Sequence, residues 1–540
     1  MDRIRCLRTF GGQSGISRKA GADREPPRIF FRNRLVTARL LEPSGEGVDS
    51  LGRASLSVLS HDEIQTIHEA TLELLETVGV AVLEPRAMRM LIDAGASRGR
   101  ESERVRIPAG LVREAVAKAP KSWTWHARES KHSFRVGDGG RTRLGPGSAC
   151  TNFLDYETGA ARTPKVDDAV NLVRLMDALE YVDINYTPVE IETAAPPRYR
   201  EVATCVRDLQ NTSKPLVGPT FDGQMARDGI EIAKILVGSE EELRRRPTIA
   251  GYCDPVSPLV HDRKMTETVL EYAAMGQPVF MMCLDLAGAS APATLAGTLL
   301  QQNAEVLSGL VIAHLANPQA PVVYGCVSGA MDMRAGSAAL GGPESGLLSL
   351  AAVQLAHFYG LPCSAGGQSD SKIHDAQASF EKATSLMASV LAGADFVDLF
   401  FGSFEGYNTT SLEQVVIDHD IAGFAFRYAR GIEVSEETLS LDLIREIGPG
   451  GNFLKGKRPL EHAMRGSQRD HYTPFVIDRR ARFSWENAGG KTILEAAHAK
   501  AMQILGEHRP APLDPSLLKE MEAYLETVRR ESSRGNVARD

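Results

Sequence analysis

The chain of 540 residues is 43% hydrophobic and carries a formal net charge of −8, enough apolar material for a large core and too little positive charge for a nucleic-acid or anionic-membrane surface. Its 7 cysteines stand in no CxxC spacing, which argues against both a disulfide framework and a zinc ribbon. No apolar run is long enough for a signal peptide or a membrane span, so the expectation is a soluble, cytoplasmic protein without a nucleic-acid or membrane partner.

Residues 1–53 are Arg-rich, with Pro26-Pro27 and scattered glycines, and read as a disordered arm. Residues 54–140 form an N-terminal cap region. It opens on an amphipathic helix, where Ser60-His-Asp-Glu63 supplies the cap and first turn ahead of Ile64, Ile67, Leu72, Leu74, Leu75 and Val78. From 141 to 430 a unit of short apolar strand, polar loop and helix recurs. The strands are expected at 142–149, 181–189, 214–220, 248–254, 278–284, 321–327, 361–365 and 396–404. The helices are expected at 166–179, 198–209, 223–236, 264–275, 293–316, 344–359, 376–391 and 411–430. Eight strands, each followed by a helix, predict an α/β fold of the (β/α)8 type, the TIM-like barrel; a doubly wound open sheet obeys the same alternation. Residues 431–530 make a C-terminal helical extension. It has a helix at 435–447, a Gly-Pro-Gly-Gly turn at 448–451, and terminal helices at 491–505 and 515–529, the last capped by Asp514. Residues 531–540 are a tail.

The densest polar cluster is Gly366-Gly-Gln-Ser-Asp-Ser-Lys-Ile-His-Asp375, followed by Ala376-Gln-Ala-Ser-Phe-Glu381, on the loop between an apolar strand and an apolar helix. Barrel enzymes keep their chemistry on loops at that junction. Gln368, Asp370, Lys372 and Asp375 are therefore the candidate catalytic groups, and the same residues would serve a lyase or hydrolase by acid–base work. HExxH, GxSxG, P-loop and EF-hand patterns are absent. Cys150, Cys253, Cys283, Cys326 and Cys363 fall in or beside predicted strands, where cysteine serves as a small hydrophobe. A zinc site would need ligands converging at one end of the barrel. No tightly bound metal is expected.

Several ordered motifs together resemble the trimethylamine methyltransferase family. They are the loop written as Gly-Gly-x-Ser-Asp-x-Lys-x-x-Asp-x-Gln-Ala with Glu381, then Gly393-Ala-Asp395, Ser411-Leu-Glu-Gln-Val-Val-Ile-Asp418 and Gly448-Pro-Gly-Gly-Asn-Phe-Leu454, preceded by Met331-Asp-Met-Arg334 and Gly341-Gly-Pro-Glu344. The similarity runs over roughly residues 55–510. It implies a (β/α)8 barrel that passes a methyl group from a methylated amine to the cobalt of a corrinoid (cobalamin) carried on a separate small protein. The chain holds only the standard twenty residue types, which places it in the branch without pyrrolysine. That branch implies a quaternary ammonium substrate, glycine betaine first, because demethylation then releases a neutral tertiary amine and no proton need reach the leaving nitrogen.

A trimethylammonium head is held by aromatic faces at about 0.5–2 kcal/mol per contact. Candidates at predicted strand ends are Phe153, Phe221, Tyr252, Phe404 and Tyr407, with Tyr324 earlier in its strand. Arg334, Lys372 and the backbone donors of Gly366 and Gly367 are candidates for the betaine carboxylate. Gly366, Gly367 and Ser369 are expected to face the corrinoid at the rim. Glu190, Asp254 and Glu405 are acids at strand ends that would complement an ammonium. His374 and His419 are histidines near the loop for which a structural role is the simpler reading. A betaine-binding protein without turnover is the non-enzymatic alternative, and the composition is compatible with a homo-oligomer.

Overall fold

Seven parallel strands of the computed structural model, which describes residues 55–537 apart from Arg100 and Ser102, curl into one sheet. In chain order they are Arg143–Pro146, Leu216–Val217, Ile249–Cys253, Val279–Cys283, Val322–Cys326, Cys363–Ser364 and Phe396–Phe401. Arg143–Pro146 pairs with Phe396–Phe401, the strand furthest from it in sequence, so the sheet closes on itself. The gap between Arg143–Pro146 and Leu216–Val217 is filled by the extended segment 182–187. There Asp183 and Ile184 donate N–H bonds to the Leu144 carbonyl at 2.8 and 3.2 Å, and Asn185 N–H reaches the Pro215 carbonyl at 2.9 Å. The barrel is therefore eightfold, as the alternation predicts.

This second position is not a regular strand, and its polar residues explain why. The Asp183 carboxylate accepts the Leu144 N–H at 3.0 Å, and the Asn185 amide donates to the Val173 carbonyl at 2.8 Å and to Thr212 Oγ1 at 3.0 Å. Side chains thus take over bonds that a ladder would make. The predicted strand at 214–220 shrinks to two residues because Pro215 and Pro219 flank it and neither has an N–H to give. The predicted strand at 396–404 ends at Phe401, where Gly402 turns the chain at φ 80°, and Ser403–Phe404 then pairs back onto Thr409–Thr410.

Eight helices follow the eight strand positions. They are Val166–Ala178, Pro197–Asn211, Gly223–Val237, Arg263–Ala274, Leu295–Ala316, Pro343–Tyr359, Ala376–Ala392 and Leu412–Arg430, each within two residues of its predicted bounds. Leu295–Ala316 is buried along most of its length, hence apolar residues on all its sides, with Gln301, Gln302, Asn303 and Glu305 as buried polar exceptions.

The N-terminal ends of the strands are plugged by a two-stranded hairpin, Trp123–Trp125 with Phe134–Val136. The Trp125 ring is fully buried at 5.7 Å from Phe280 and 6.1 Å from Phe396, and its N–H donates to the Thr248 carbonyl at 3.1 Å. Ala250, Phe280, Met282, Val323 and Phe396 pack above it as the barrel's inner core. Ahead of the hairpin, Ser60 and Glu63 form the predicted capping box of His61–Thr77. After the barrel, the single helix expected at 435–447 is two, Glu436–Leu439 and Leu441–Ile447, divided at Ser440 with φ 49°. Lys457–Asp470 and Arg482–Asn487 are helices that apolar periodicity does not announce, and Ile493–Glu507 and Pro515–Val537 complete the chain. The arm predicted at 1–53 lies outside the described residues. Among the described residues no helix is long and apolar enough to cross a membrane.

Candidate active site

The C-terminal mouth of the barrel is lined by tyrosines and carboxylates. Side chains alternate along a strand, so Tyr252 takes the inner face with Ala250, and Asp254 follows on the same side. Tyr252 donates its hydroxyl to Asp398, and Ser364 donates to the other oxygen of the same carboxylate. Tyr186 stands edge-on to Tyr252, with ring centroids 6.1 Å apart, and Tyr252 is edge-on to Phe280 at 4.9 Å. Tyr407 completes the group: it packs against the inner core, and Asp398, Asp254 and Tyr186 all lie close enough to act on its hydroxyl.

Electrostatics at the mouth favour a cation. Asp398 is fully buried, and burial raises its carboxyl while the two hydroxyl donors oppose the rise. Asp254 keeps open surface, but the surrounding protein, together with Asp398 and Asp262, pushes its carboxyl up to about 7. Burial and neighbouring carboxylates drive the tyrosine hydroxyls far above their usual range, so they stay neutral. Beside the tyrosines a cavity of about 110 Å³ runs out between the strand ends and helix Pro197–Asn211. Glu190, Glu201, Asp208 and Arg200 line it, Arg200 being its one lysine or arginine. Burial pushes Asp208 up to about 6 against two hydrogen bonds from Thr187. The volume is well below the ~300–1,000 Å³ of a drug-sized site, the scale of a small metabolite and not of a large cofactor.

Tyr407 is held in an unusual backbone. Glu405, Gly406 and Tyr407 have φ of 56°, 57° and 72°, and for a tyrosine the left-handed region is costly and persists only where the surroundings enforce it. Here Gly406 N–H donates to the Ser369 carbonyl at 2.9 Å, and Thr409 Oγ1 donates to the Glu405 carboxylate at 2.5 Å. Below, fully buried Lys382 donates to the Phe400 and Ser403 carbonyls at 2.5 and 2.7 Å and pairs with buried Asp418 at 2.9 Å. The turn after the last strand is thus clamped from both sides.

The 366–375 loop supports this arrangement more than it lines it. Gln368 is buried, its amide N–H₂ donating to the Leu399 carbonyl, and its Oε1 is left without a partner, as is the Tyr407 hydroxyl. Asp370 accepts the Leu340 and Gly341 N–H groups at 3.0 and 2.9 Å, while Glu381 accepts Ser369 Oγ and the Asp370 N–H, both at 2.8 Å. Asp375 caps helix Ala376–Ala392 through the Ala378 N–H at 3.0 Å. Lys372 is exposed and reaches back to the Asp370 carbonyl at 2.5 Å. Gly366, Gly367 and Ser369 are buried beneath the rim and offer no surface to a docking macromolecule. A Cβ on Gly367 would stand 2.8 Å from the Phe400 ring, so close packing explains that glycine.

The other predicted residues separate. Phe221 sits on the cavity edge, 43% exposed. Phe404 is fully buried against His374, with rings 5.4 Å apart. Tyr324 points outward instead of into the mouth, donating to Asn303 Oδ1 of helix Leu295–Ala316 at 3.1 Å, because its inner-face neighbours are Val323 and Val327. Arg334 is exposed on the hairpin of Gly329–Asp332 and Ser337–Ala339, where its N–H is held by Asp332. His374 bonds Ser411 Oγ at 2.6 Å and His419 stacks on Tyr181 at 4.5 Å; burial lowers both to about 4, so both are neutral. Sequence reasoning passed over Tyr186 and Asp398. A lone aspartate inside the apolar run Phe396-Val-Asp-Leu-Phe-Phe401 was the available signal, since a buried charge in a strand needs a purpose.

Comparison with known proteins follows the same line. The trimethylamine methyltransferase (MTTB) family profile matches residues 42–534. A glycine betaine methyltransferase of Desulfitobacterium hafniense (strain Y51) is 33% identical over 470 residues, 87% of this chain and 96% of that one. A trimethylamine methyltransferase, MttB, of Methanosarcina thermophila is 34% identical over 482 residues, 88% and 98% of the two chains. Among solved structures, the Methanosarcina barkeri monomethylamine methyltransferase MtmB superposes with a TM-score of 0.50 at 12% identity, covering 84% of this chain and 89% of the other. At that identity the likeness speaks for the fold alone.

Proposed function

Because the chain belongs to the trimethylamine methyltransferase family and is a methyltransferase, we propose that it removes one methyl group from a quaternary or methylated amine, glycine betaine first, and that the acceptor is a corrinoid presented by a separate carrier protein. The observation that carries this reading is the convergence of Tyr186, Tyr252 and Tyr407 with Asp254 and Asp398 at the barrel mouth. Aromatic faces and carboxylates that can ionise are what a trimethylammonium group needs, since it has no N–H to donate and is held by dispersion and charge. Arg200 replaces Arg334 as the partner for a betaine carboxylate. Its Nε is taken by Glu201 at 3.0 Å, while Nη2 has only Glu190 at 3.9 Å, leaving the outer edge of the guanidinium free for a bidentate contact.

A cavity of about 110 Å³ admits an ammonium head and excludes a corrin ring, so the corrinoid would be met from above. The rim suits such an encounter: Phe221, Val256, Leu284, Met333, Ile373 and Phe380, on the loops and helix starts that follow five successive strands, are all 39–77% exposed, apolar side chains on the face a carrier would meet. The corrinoid supplies the nucleophile to which the methyl passes. The tyrosines hold the nitrogen with one methyl directed outward, and water is kept from the reacting pair. The C–N bonding pair stays with nitrogen, which leaves as a neutral tertiary amine, so no residue has to deliver a proton. Asp398 is already engaged by two hydroxyls, which spreads its charge. It therefore opposes the loss of positive charge at nitrogen less than a bare carboxylate would.

The test is the visible absorbance of a reduced corrinoid carrier mixed with enzyme and, in turn, glycine betaine, carnitine, choline and trimethylamine. Methylation of the corrinoid with one of them, dependent on enzyme, is the expected result. Product without any corrinoid would instead favour acid–base chemistry at Asp370, Lys372 and Asp375.

A further inference from the structure

We propose that His357, Cys363 and Asp395, at the N-terminal end of the barrel opposite the mouth, bind one divalent, borderline-soft cation of the zinc class. The three donors come from three elements: the last turn of helix Pro343–Tyr359, the start of strand Cys363–Ser364, and the residue before strand Phe396–Phe401. Cys363 Sγ lies 3.9 Å from His357 Nε2 and 3.5 Å from Asp395 Oδ2, and the three donor atoms are all within 4.8 Å of one another. A tetrahedral ion with bonds of about 2.3 Å to sulfur and 2.0–2.1 Å to nitrogen and oxygen sets donor separations of roughly 3.3–3.6 Å. The triad is within a few tenths of an ångström of that at the sulfur. A thiolate, an imidazole and a carboxylate select zinc-like ions over magnesium or calcium, which prefer all-oxygen shells.

The surroundings complete the site. Asp395 Oδ2 accepts the Cys363 N–H at 2.9 Å and Oδ1 accepts the Gly137 N–H at 3.2 Å. These bonds fix the carboxylate without using all its lone pairs, as the outer partners of metal ligands do. His357 is exposed, Asp395 half-buried and Cys363 buried, so an ion has an approach from a cavity of about 510 Å³ lined by His357 and Asp395, from which solvent would supply the fourth ligand. Four basic residues also line the cavity: Arg141 and Arg143 are committed to Asp183 at 2.7 and 3.1 Å, Lys121 donates to the Val116 and Tyr359 carbonyls at 2.5 and 2.9 Å, and Arg135 donates to Ser122 Oγ at 2.9 Å. A divalent ion is itself neutralised by the thiolate and carboxylate, the thiol proton passing to solvent. At the closed end of a barrel such an ion acts on stability, stapling a helix end to two strands, and not on catalysis. No cysteine spacing announces it because no two ligands share an element.

Cobalt(II) titration of the full chain, first stripped with chelator, tests the site independently of any methyl transfer. One equivalent should give a thiolate-to-metal band in the near ultraviolet and the intense visible bands of a tetrahedral ion. His357→Gln, at an exposed position that leaves the fold intact, should weaken cobalt binding by at least about tenfold, and Cys363→Ser should abolish the near-ultraviolet band. If Cys363→Ser does not fold, His357→Gln alone decides. Absence of the band in the wild-type protein, its survival in Cys363→Ser, or unchanged affinity in His357→Gln would each overturn the proposal.

Discussion

Asp254 is where charge, geometry and pH meet, and its replacement by asparagine is the sharpest probe of the cation site. Its carboxyl stands at about 7, raised by burial first and by Asp398 and Asp262 next. Only the ionised form attracts an ammonium, so cation affinity is low at acid pH and rises as pH climbs through about 7. If the protonated form bound nothing, occupancy of the ionised state alone would change affinity roughly tenfold between pH 6 and pH 8. The attraction is strong enough to express most of that. Two unit charges at contact distance in a partly solvated protein environment interact by up to about 4 kcal/mol, and screening of a group with open surface leaves about 1 kcal/mol or more, a factor of five or so. Calorimetric titration of tetramethylammonium, which titrates nowhere in this range, should therefore show affinity rising about five- to tenfold from pH 6 to 8 and levelling above. Asp254→Asn should bind near the level of wild type at pH 6 and keep at most the shallow slope, about twofold, that Asp208 at about 6 contributes. A wild-type profile flat across this range, or a slope undiminished in Asp254→Asn, would refute the placement of the cation beside this carboxylate.

Arg200→Gln should weaken glycine betaine at least fivefold in the same titration while leaving tetramethylammonium within a factor of two, because only the zwitterion carries a group for the guanidinium; equal losses would show that Arg200 merely shapes the cavity. Lys382→Met strands Asp418 in the core, and a loss of about 3–5 kcal/mol is expected from urea denaturation. The double variant Lys382→Met/Asp418→Leu should recover most of it, and wild-type stability in the single variant would contradict the pairing. Asp370→Ala frees the Leu340 and Gly341 N–H groups and should lower methyl transfer about tenfold or more with the melting temperature little changed. Lys372→Ala, which removes one exposed contact to a carbonyl, serves as the comparison, and a loss equal to that of Asp370→Ala would return the lysine to a direct role.

Periodicity made the barrel legible, because the spacing of strand, loop and helix survives even where a strand is only two residues long. Leu216–Val217 and Cys363–Ser364 are barely strands by hydrogen bonding, yet their apolar residues and flanking prolines fixed their places. Less legible was which way a residue faces. Tyr324 and Tyr252 look alike in sequence, but a shift of one position along a strand sends one into a helix packing layer and the other into the mouth. The polar loop at 366–375 was legible as important and misleading as to why. Its carboxylates are consumed by backbone N–H groups, a role that depends on distant residues such as Leu340 and Gly341 that no local pattern reveals. Tyr186 lay inside the strand expected at 181–189, but that segment is extended without a regular ladder, held by the buried side chains of Asp183 and Asn185, so alternation alone did not say which way its ring faces.

The tryptophan plug has a kinetic corollary. With Trp125 and its hairpin sealing the N-terminal end of the barrel, the amine and the carrier proposed above would both have to come to the mouth. Two visitors that share one door must queue. On the proposed function the amine would enter before the carrier lands and the product would leave after it departs, which predicts an ordered turnover inhibited by excess carrier.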